Sequence, residues 1–486
     1  MSNDIRSLEP RSIWKNFADL NEVPRPSKKE ERVIQFMKSF GEKLELETTV
    51  DEIGNVIIKK PATPGMENRE KVVMQAHLDM VHQKNADTAF DFDSEGIRMV
   101  VEGDWVKAEG TTLGADNGLG VAAIMAYLES DTLVHPAIEA LFTIDEETGM
   151  TGAKELKPGS LTGKILLNLD TEEDNELTIG CAGGIDVTMT GDYVQEDVPS
   201  EHTAYNVIVK GFKGGHSGMD IHLGRGNANK IMNRILSHLN NVGLRIAGIN
   251  GGGLRNAIPR ESFATVTVPN DAISTFESKI DGLSKVILTE YELTDPEATI
   301  LIEETKTPEK VMSISEAKVL LNAVYACPNG IYRLTPKIEN LVQTSNNLAR
   351  VLVEDGKYTV MCLTRSSVDS EKEDLANTIK AAFSPTGAEV KFSGSYPGWA
   401  PRPTSEIVAM MSDLYKELFN EEAHVNACHA GLECGILGRF YPDMEMISFG
   451  PNILGAHSPE ERTQISSVQK FWGFLNKTME RIPEVK

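Results

Sequence analysis

Three apolar runs end on side chains that a buried strand has no use for. VVMQAHLD closes on His77 and Asp79, AIEALFTIDEE on Glu146 and Glu147, and KILLNLD on Asp170. Between them lie helical stretches, ADNGLGVAAIMAYLES and TGAKELK. Strands alternating with helices predict an α/β sheet flanked by helices on both faces. Ligands of open α/β sheets collect outside the carboxyl ends of the strands. Acids and a histidine at those ends therefore mark a candidate site.

A chain of 486 residues exceeds the ~250–300 residues at which single cores stop growing. Upstream, SIWKNFADLNEV and KKEERVIQFMKSFGEKL show helical periodicity, split by the breaker PRPS, and NVIIKK reads as a strand. After GCAGGID the texture changes. Strand-like AYNVIVKGF, ESFATVTVP, YTVMCLTRS and AEVKFSG alternate with helix-like NANKIMNRILSHLNNV and AISTFESKIDGLSKVILTEYEL. This predicts an α+β insertion over 187–397. SGSYPGWAPRPTSE crosses back to the first domain, expected over 1–186 and 398–486. That return segment carries a helix, EIVAMMSDLYKELF, a glycine-rich HAGLECG, a strand, MEMISFG, and a last helix, SVQKFWGFLNKTMERI.

A net charge of −24 argues against nucleic acid, whose phosphates call for a basic stripe, and against an anionic membrane surface. No apolar run approaches the ~18 residues of a membrane helix, and the first residues lack a signal-peptide pattern. A cytoplasmic location is expected. Five cysteines form no CxxC pair, so neither a disulfide framework nor a thiolate zinc site is indicated. Any metal must be held by His, Asp and Glu.

Five such residues come from separate segments: His77, Asp116 in GADNG, Glu147 in DEETG, Asp170 in LNLD and His457 in GAHSP. Imidazole nitrogen and carboxylate oxygen suit zinc, and a catalytic site leaves a position for water. Paired metals need a bridging group, a role that suits a carboxylate. Asp116 sits in a glycine-flanked turn opening a helix. Asp79, two residues from His77, points to the same side of an extended chain and is placed to accept the other ring N–H of His77. Of Glu146 and Glu147, one is free to bind metal while the other handles a proton. Each motif alone has an ordinary reading: a hydrogen-bonded pair, a solvated acid run, a helix cap or a loop histidine. Together they are harder to explain that way.

AHLDMV, GTTLGADNGLG, TIDEETGMTGA, NLDTEE and GPNILGAHSPEE resemble the metal motifs of the dinuclear metallopeptidases that include aminoacylases, carnosinases and desuccinylases. The similarity extends nearly end to end, through KPATPGMENR, GCAGGID, KGGHSGMDIHLGRGNANK, GGGLRNAIPRE, YPGW and HAGLECG, to dipeptide-cleaving members of that family. The resemblance implies that His77, Asp116 and Asp170 hold one metal and that Asp116, Glu147 and His457 hold the other. Asp79 then orients His77, and Glu146 is the general base. It also implies that the insertion is a lid, and commonly a homodimer interface. The two divalent ions would be Zn2+, with Co2+ or Mn2+ also compatible.

Within the insertion, the resemblance assigns His216 in KGGHSGMD to the oxyanion of the scissile carbonyl. Asn256 in LRNAIPR and Arg365 in CLTRSSVDS are candidates to grip the substrate, Arg365 through a bidentate carboxylate contact. Glu433 in HAGLECG is a candidate for the free amine, and His429 for the same pocket. The remaining histidines (His82, His135, His202, His222, His238 and His424) have no partner pattern. Met410 and Met411 read as helix packing, and GRGNANK lacks the strand and crossover of a phosphate cradle. The expected activity is hydrolysis of unblocked dipeptides, Xaa-His or broader, by a metal-activated water with Glu146 as base. The dipeptide would sit between catalytic and lid domains. Two alternatives share these residues: a deacylase of N-acyl amino acids, and a metal- or peptide-binding protein without turnover.

Overall fold

The computed structural model describes residues 5–485, which divide into two compact units. The first comprises the chain up to Gly180, Pro401–Ala427 and Leu432 onward. The second comprises Cys181–Ala400 with Cys428–Gly431. The fold is mixed α/β. No helix among the described residues is long and apolar enough to cross a membrane.

The first unit is built on an eight-stranded sheet. Its order is Glu47–Val50, Val56–Lys60, Ile138–Thr143, Val72–His77, Ile165–Asn168, Glu445–Ser448, Glu176–Cys181 and His424–Cys428. Val72–His77 runs parallel to both Ile138–Thr143 and Ile165–Asn168, and Ile165–Asn168 runs parallel to Glu445–Ser448. All six residues of Val72–His77 are buried, as are all of Ile138–Thr143. Continuous apolar runs are what parallel strands covered on both faces require. Parallel strands also put their carboxyl ends together, so His77, the segment after Thr143 and the segment after Asn168 meet at one edge.

The helix Ala115–Glu129 is buried on every side from Asn117 to Leu128, as expected of a helix apolar all round. It lies close to the helix Arg11–Asn21: a Cβ on Gly118 would come within 2.8 Å of the Phe17 ring. The expectation that an acid caps this helix meets a different arrangement. Its cap position is Gly114, at φ 70°, with no side-chain cap, and Asp116 lies inside the first turn with a non-helical backbone. The orphan N–H groups are met from elsewhere, by Glu461.

A second, four-stranded sheet in this unit orders Ile453–Leu454, Arg462–Gln464, Trp105–Ala108 and Met99–Glu102. It pairs Arg462 with Lys107 and Gln464 with Trp105. His457 lies on the loop joining its two C-terminal strands, which fixes that loop to the segment leading into Asp116.

The second unit is an antiparallel sheet. Its order is Thr299–Thr305, His202–Lys210, Ser262–Pro269, Arg245–Gly252, Val342–Glu354, Lys357–Ser366, Gly183–Asp192 and Glu389–Tyr396, with Gly330–Leu334 beside Val342–Glu354. The helices Ala228–Leu239, Ile273–Glu290, Ile314–Ala326 and Asp369–Phe383 contribute Leu236, Ile280, Leu320 and Phe383 to a single core with strand residues such as Val207, Val266 and Val360.

Candidate metal centre

At the carboxyl edge of the first unit's sheet, Asp116 stands between two imidazoles. Its Oδ1 is 3.2 Å from His77 Nε2 and its Oδ2 is 3.1 Å from His457 Nε2. Asp170 Oδ1 lies 3.5 Å from the same His77 nitrogen, and Glu147 Oε2 lies 2.9 Å from the same His457 nitrogen. Two donor sets result, His77–Asp116–Asp170 and Asp116–Glu147–His457, each with ligand atoms within 4.8 Å of one another. They share one carboxylate, and each of its oxygens addresses a different set.

This donor set fits a pair of divalent cations. Two imidazoles and three carboxylates are hard and borderline donors, with charge enough for two dications. Glu147 Oε1 is buried with no hydrogen-bond partner, a vacancy costly to leave unmet in a protein interior. Each imidazole also sits where a proton or a cation must balance the acids. The carboxylates of Asp116 and Glu147 raise His457 to about 11. Burial opposes charge on His77, but Asp170 and Asp116 outweigh it and push its pKa up. Asp116 is driven well below the usual carboxylate range: burial works against ionisation, and hydrogen bonds from His457 and His77 overcome it. Asp170 is raised to about 6 by burial.

Asp79 is fully buried and serves more than His77. The His77 Nδ1 atom is 3.5 Å from Asp79 Oδ1 and 3.1 Å from the Asp79 backbone oxygen. The two carboxylate oxygens accept the backbone N–H of Glu146 at 3.0 Å and of Glu147 at 3.3 Å. Asp79 thus fixes the turn from which the acid pair departs. Burial holds the Glu146 carboxyl well above its ordinary pKa, the direction a proton acceptor working near neutrality needs. Its carboxylate belongs to a third cluster, with His77 and Glu147.

Glu433, at the start of the helix Glu433–Phe440, is completely buried in the same unit. Its Oε2 accepts from Gln75 Nε2 and Thr143 Oγ1, both at 2.6 Å, while Oε1 has no partner. Burial raises it to about 7. Gln75 continues the chain by accepting from Asn168 Nδ2 at 2.5 Å, and Asn168 accepts from Ser448. A buried polar row thus crosses the central strands beneath the cluster.

The second unit holds the remaining candidates. His429 Nε2 is 2.8 Å from Ser345 Oγ. Burial and the nearby Arg365 hold His429 down at about 3 and His216 at about 4, so both imidazoles are neutral at pH 7. Arg365 donates to Tyr396 Oη at 3.0 Å and leaves a buried Nε without a partner. The Asn256 backbone oxygen accepts from Ser217 N at 2.7 Å, next to His216.

Two residues that sequence reasoning does not single out complete the first unit's edge. Arg25, in the PRPS breaker, donates to the backbone oxygens of Leu78, Asp79 and Gly114 at 3.1, 3.1 and 2.6 Å. Glu461, four residues after His457, accepts from the backbone N–H groups of Leu113, Gly114, Ala115 and Asp116. An arginine between two prolines and the second acid of SPEE are the only traces they leave.

A carboxylate shared between two His/acid sets is the arrangement that a pair of divalent cations calls for. The model of peptidase family M20/M25/M40 matches residues 73–481, and the chain belongs to this family. It is 39% identical over 482 residues to the cytosol non-specific dipeptidase of Escherichia coli K12, covering 99% of each chain. It is similar to the crystal structure of aminoacylhistidine dipeptidase from Vibrio alginolyticus, with 43% identity, a TM-score of 0.94 and 99% of each chain covered. The fold is shared more distantly with aminopeptidase PepT from Bacillus cereus, at 15% identity and a TM-score of 0.61 over 98% of this chain and 99% of that one.

Proposed function

We propose that the protein is a dipeptidase that hydrolyses unblocked dipeptides, Xaa-His among them, to free amino acids. One observation carries this: the Asp116 carboxylate divides its oxygens between His77 and His457, and each half is completed by a further acid. His77, Asp116 and Asp170 would hold one divalent cation, and Asp116, Glu147 and His457 a second. Zinc is the natural choice for this donor set, with cobalt and manganese compatible. When bound, the pair supplies Lewis-acid chemistry, polarising the scissile carbonyl and lowering the pKa of water.

The chain's own groups handle the rest. Glu146, raised by burial, takes the proton of the attacking water on its carboxylate and delivers it to the leaving amine nitrogen. Asp79 keeps Glu146 and Glu147 in register through their backbone N–H groups. The unpartnered Glu433 Oε1 suits the substrate's ammonium, which an N-acylated substrate lacks. Arg365 is assigned to the substrate carboxylate, with Asn256 and His429 as further polar contacts. His216, neutral at pH 7, is assigned as an N–H donor to the oxyanion. The names borne by the E. coli and Vibrio relatives support the substrate class. A cytoplasmic location and a homodimer formed through the second unit belong to the same reading.

The test is hydrolysis of a panel of dipeptides, including β-alanyl-histidine, beside N-acetyl amino acids, with zinc and with excess chelator. Turnover of free dipeptides that chelator abolishes, without turnover of the acetylated set, is the expected result. The reverse selectivity would establish a deacylase.

A further inference from the structure

The helix Ala115–Glu129 is irregular where it carries Asp116: Gly114 is left-handed, and Asp116 and Asn117 depart from helical geometry. Two oppositely charged side chains, both buried, grip it there. Glu461, 2% exposed, receives four consecutive backbone N–H groups: Leu113 at 2.8 Å, Gly114 at 3.1 Å, Ala115 at 2.8 Å and Asp116 at 3.3 Å. Arg25, 1% exposed, takes the Gly114 carbonyl at 2.6 Å. Its other terminal nitrogen holds the carbonyls of Leu78 and Asp79 at 3.1 Å, the two residues that follow His77. Gly114 is therefore held at both of its backbone polar groups, by Glu461 at its N–H and by Arg25 at its carbonyl.

The geometry assigns Arg25 and Glu461 as positioning residues: a two-charge clamp that sets the spacing of Asp116 from His77 on one side and His457 on the other, and with it the affinity of the metal pair. Three features support a role beyond filling space. The clamp ties together three segments remote in the chain, around residues 78, 114 and 461, each within four residues of a proposed ligand. Apart from the Arg25 contact to Asn21 Oδ1 at 3.0 Å, the hydrogen bonds of both side chains go to backbone groups, so the clamp grips the main chain that carries the ligands and not the ligand side chains. The two glycines of GADNG's neighbourhood are shaped to the clamp: a Cβ on Gly114 would lie 2.5 Å from Arg25 Nη2, and one on Gly118 would lie 2.7 Å from the same atom. Outer-shell partners of ligands commonly tune metal affinity 10–100-fold.

The inference rests on the metal-centre reading, and cobalt separates the two. Wild-type protein stripped of metal is titrated with Co2+, following the visible d–d spectrum and measuring affinity against a competing chelator. Arg25→Lys keeps the charge and loses the fork, Glu461→Gln keeps the shape and loses the charge, and Glu461→Asp is the conservative comparison. The expectation is two equivalents bound by wild type. Affinity for at least one equivalent should fall ~10–100-fold, with an altered d–d spectrum, in Glu461→Gln and Arg25→Lys, and Glu461→Asp should recover part of the loss. Should Glu461→Gln fail to fold, Arg25→Lys decides by the same readouts. Wild-type protein that takes up no cobalt sinks the metal centre. Wild-type uptake of two equivalents, with Arg25→Lys indistinguishable from it in affinity and spectrum, overturns the clamp alone.

Discussion

Asp79 accepts the backbone N–H of Glu146 at 3.0 Å from a fully buried position, so the proposed base is steered through its main chain. Asp79→Asn keeps one accepting oxygen and turns the other into a donor facing an N–H. We expect kcat/KM to fall ~10–100-fold, the range for lost outer-shell partners, with a change in the acid limb of the pH–rate profile because Glu146 shifts. Steady-state kinetics from pH 5 to 9 check this, and an unmoved limb would remove Asp79 from the control of Glu146.

Glu146→Gln removes the proton acceptor and leaves both donor sets intact. Turnover should drop ~10²–10⁴-fold while metal content, measured by elemental analysis, stays at the wild-type value. A loss of metal in parallel would identify Glu146 as a ligand instead.

Chelation should destabilise the first unit selectively. At free metal a thousandfold above Kd, a bound cation contributes ~4 kcal/mol, which for a domain of this size shifts the midpoint by on the order of 10 °C. Calorimetry with and without chelator should show one transition moved and the other, from the second unit, unmoved.

Below neutrality His429 works against the fold. Burial first, then the charge of Arg365, hold it at about 3, against ~6.5 in an unfolded chain. Its stability contribution is full above pH ~6.5 and is lost as pH falls toward 3, because the unfolded state binds the proton that the folded state refuses. At pH 5 the loss is ~2 kcal/mol. His429→Gln should lose less stability between pH 7 and pH 5 than wild type by about that amount, read from urea midpoints.

Gly114→Ala places a methyl group 2.5 Å from Arg25 Nη2 and 2.8 Å from Met80 Sδ at φ 70°. Strain and overpacking together predict a loss of ~2–4 kcal/mol. Chemical denaturation of the metal-free protein measures it directly.

Much of the first unit is legible where local pattern and tertiary role coincide. His77 closes the strand Val72–His77 because an apolar run needs a reason to stop, and parallel topology then carries the ends of three strands to one edge. Long-range capture is not legible. The GADNG turn reads as a helix opening on an acidic cap, yet its N–H groups are capped by Glu461, about 350 residues away in the chain. That pairing depends on the short strands Arg462–Gln464 and Trp105–Ala108 meeting, and neither run is long enough to announce itself. Arg25 is similarly silent, since a buried guanidinium satisfied by carbonyls leaves no partner residue to find in the sequence.

That small four-stranded sheet also makes the two donor sets unequal in their support. His77 closes a strand paired on both sides within the large sheet, whereas the loop bearing His457 leans on a three-residue pairing of Arg462–Gln464 with residues 105–107. Loosening that short pairing would disturb the half proposed around His457 first and leave its counterpart standing.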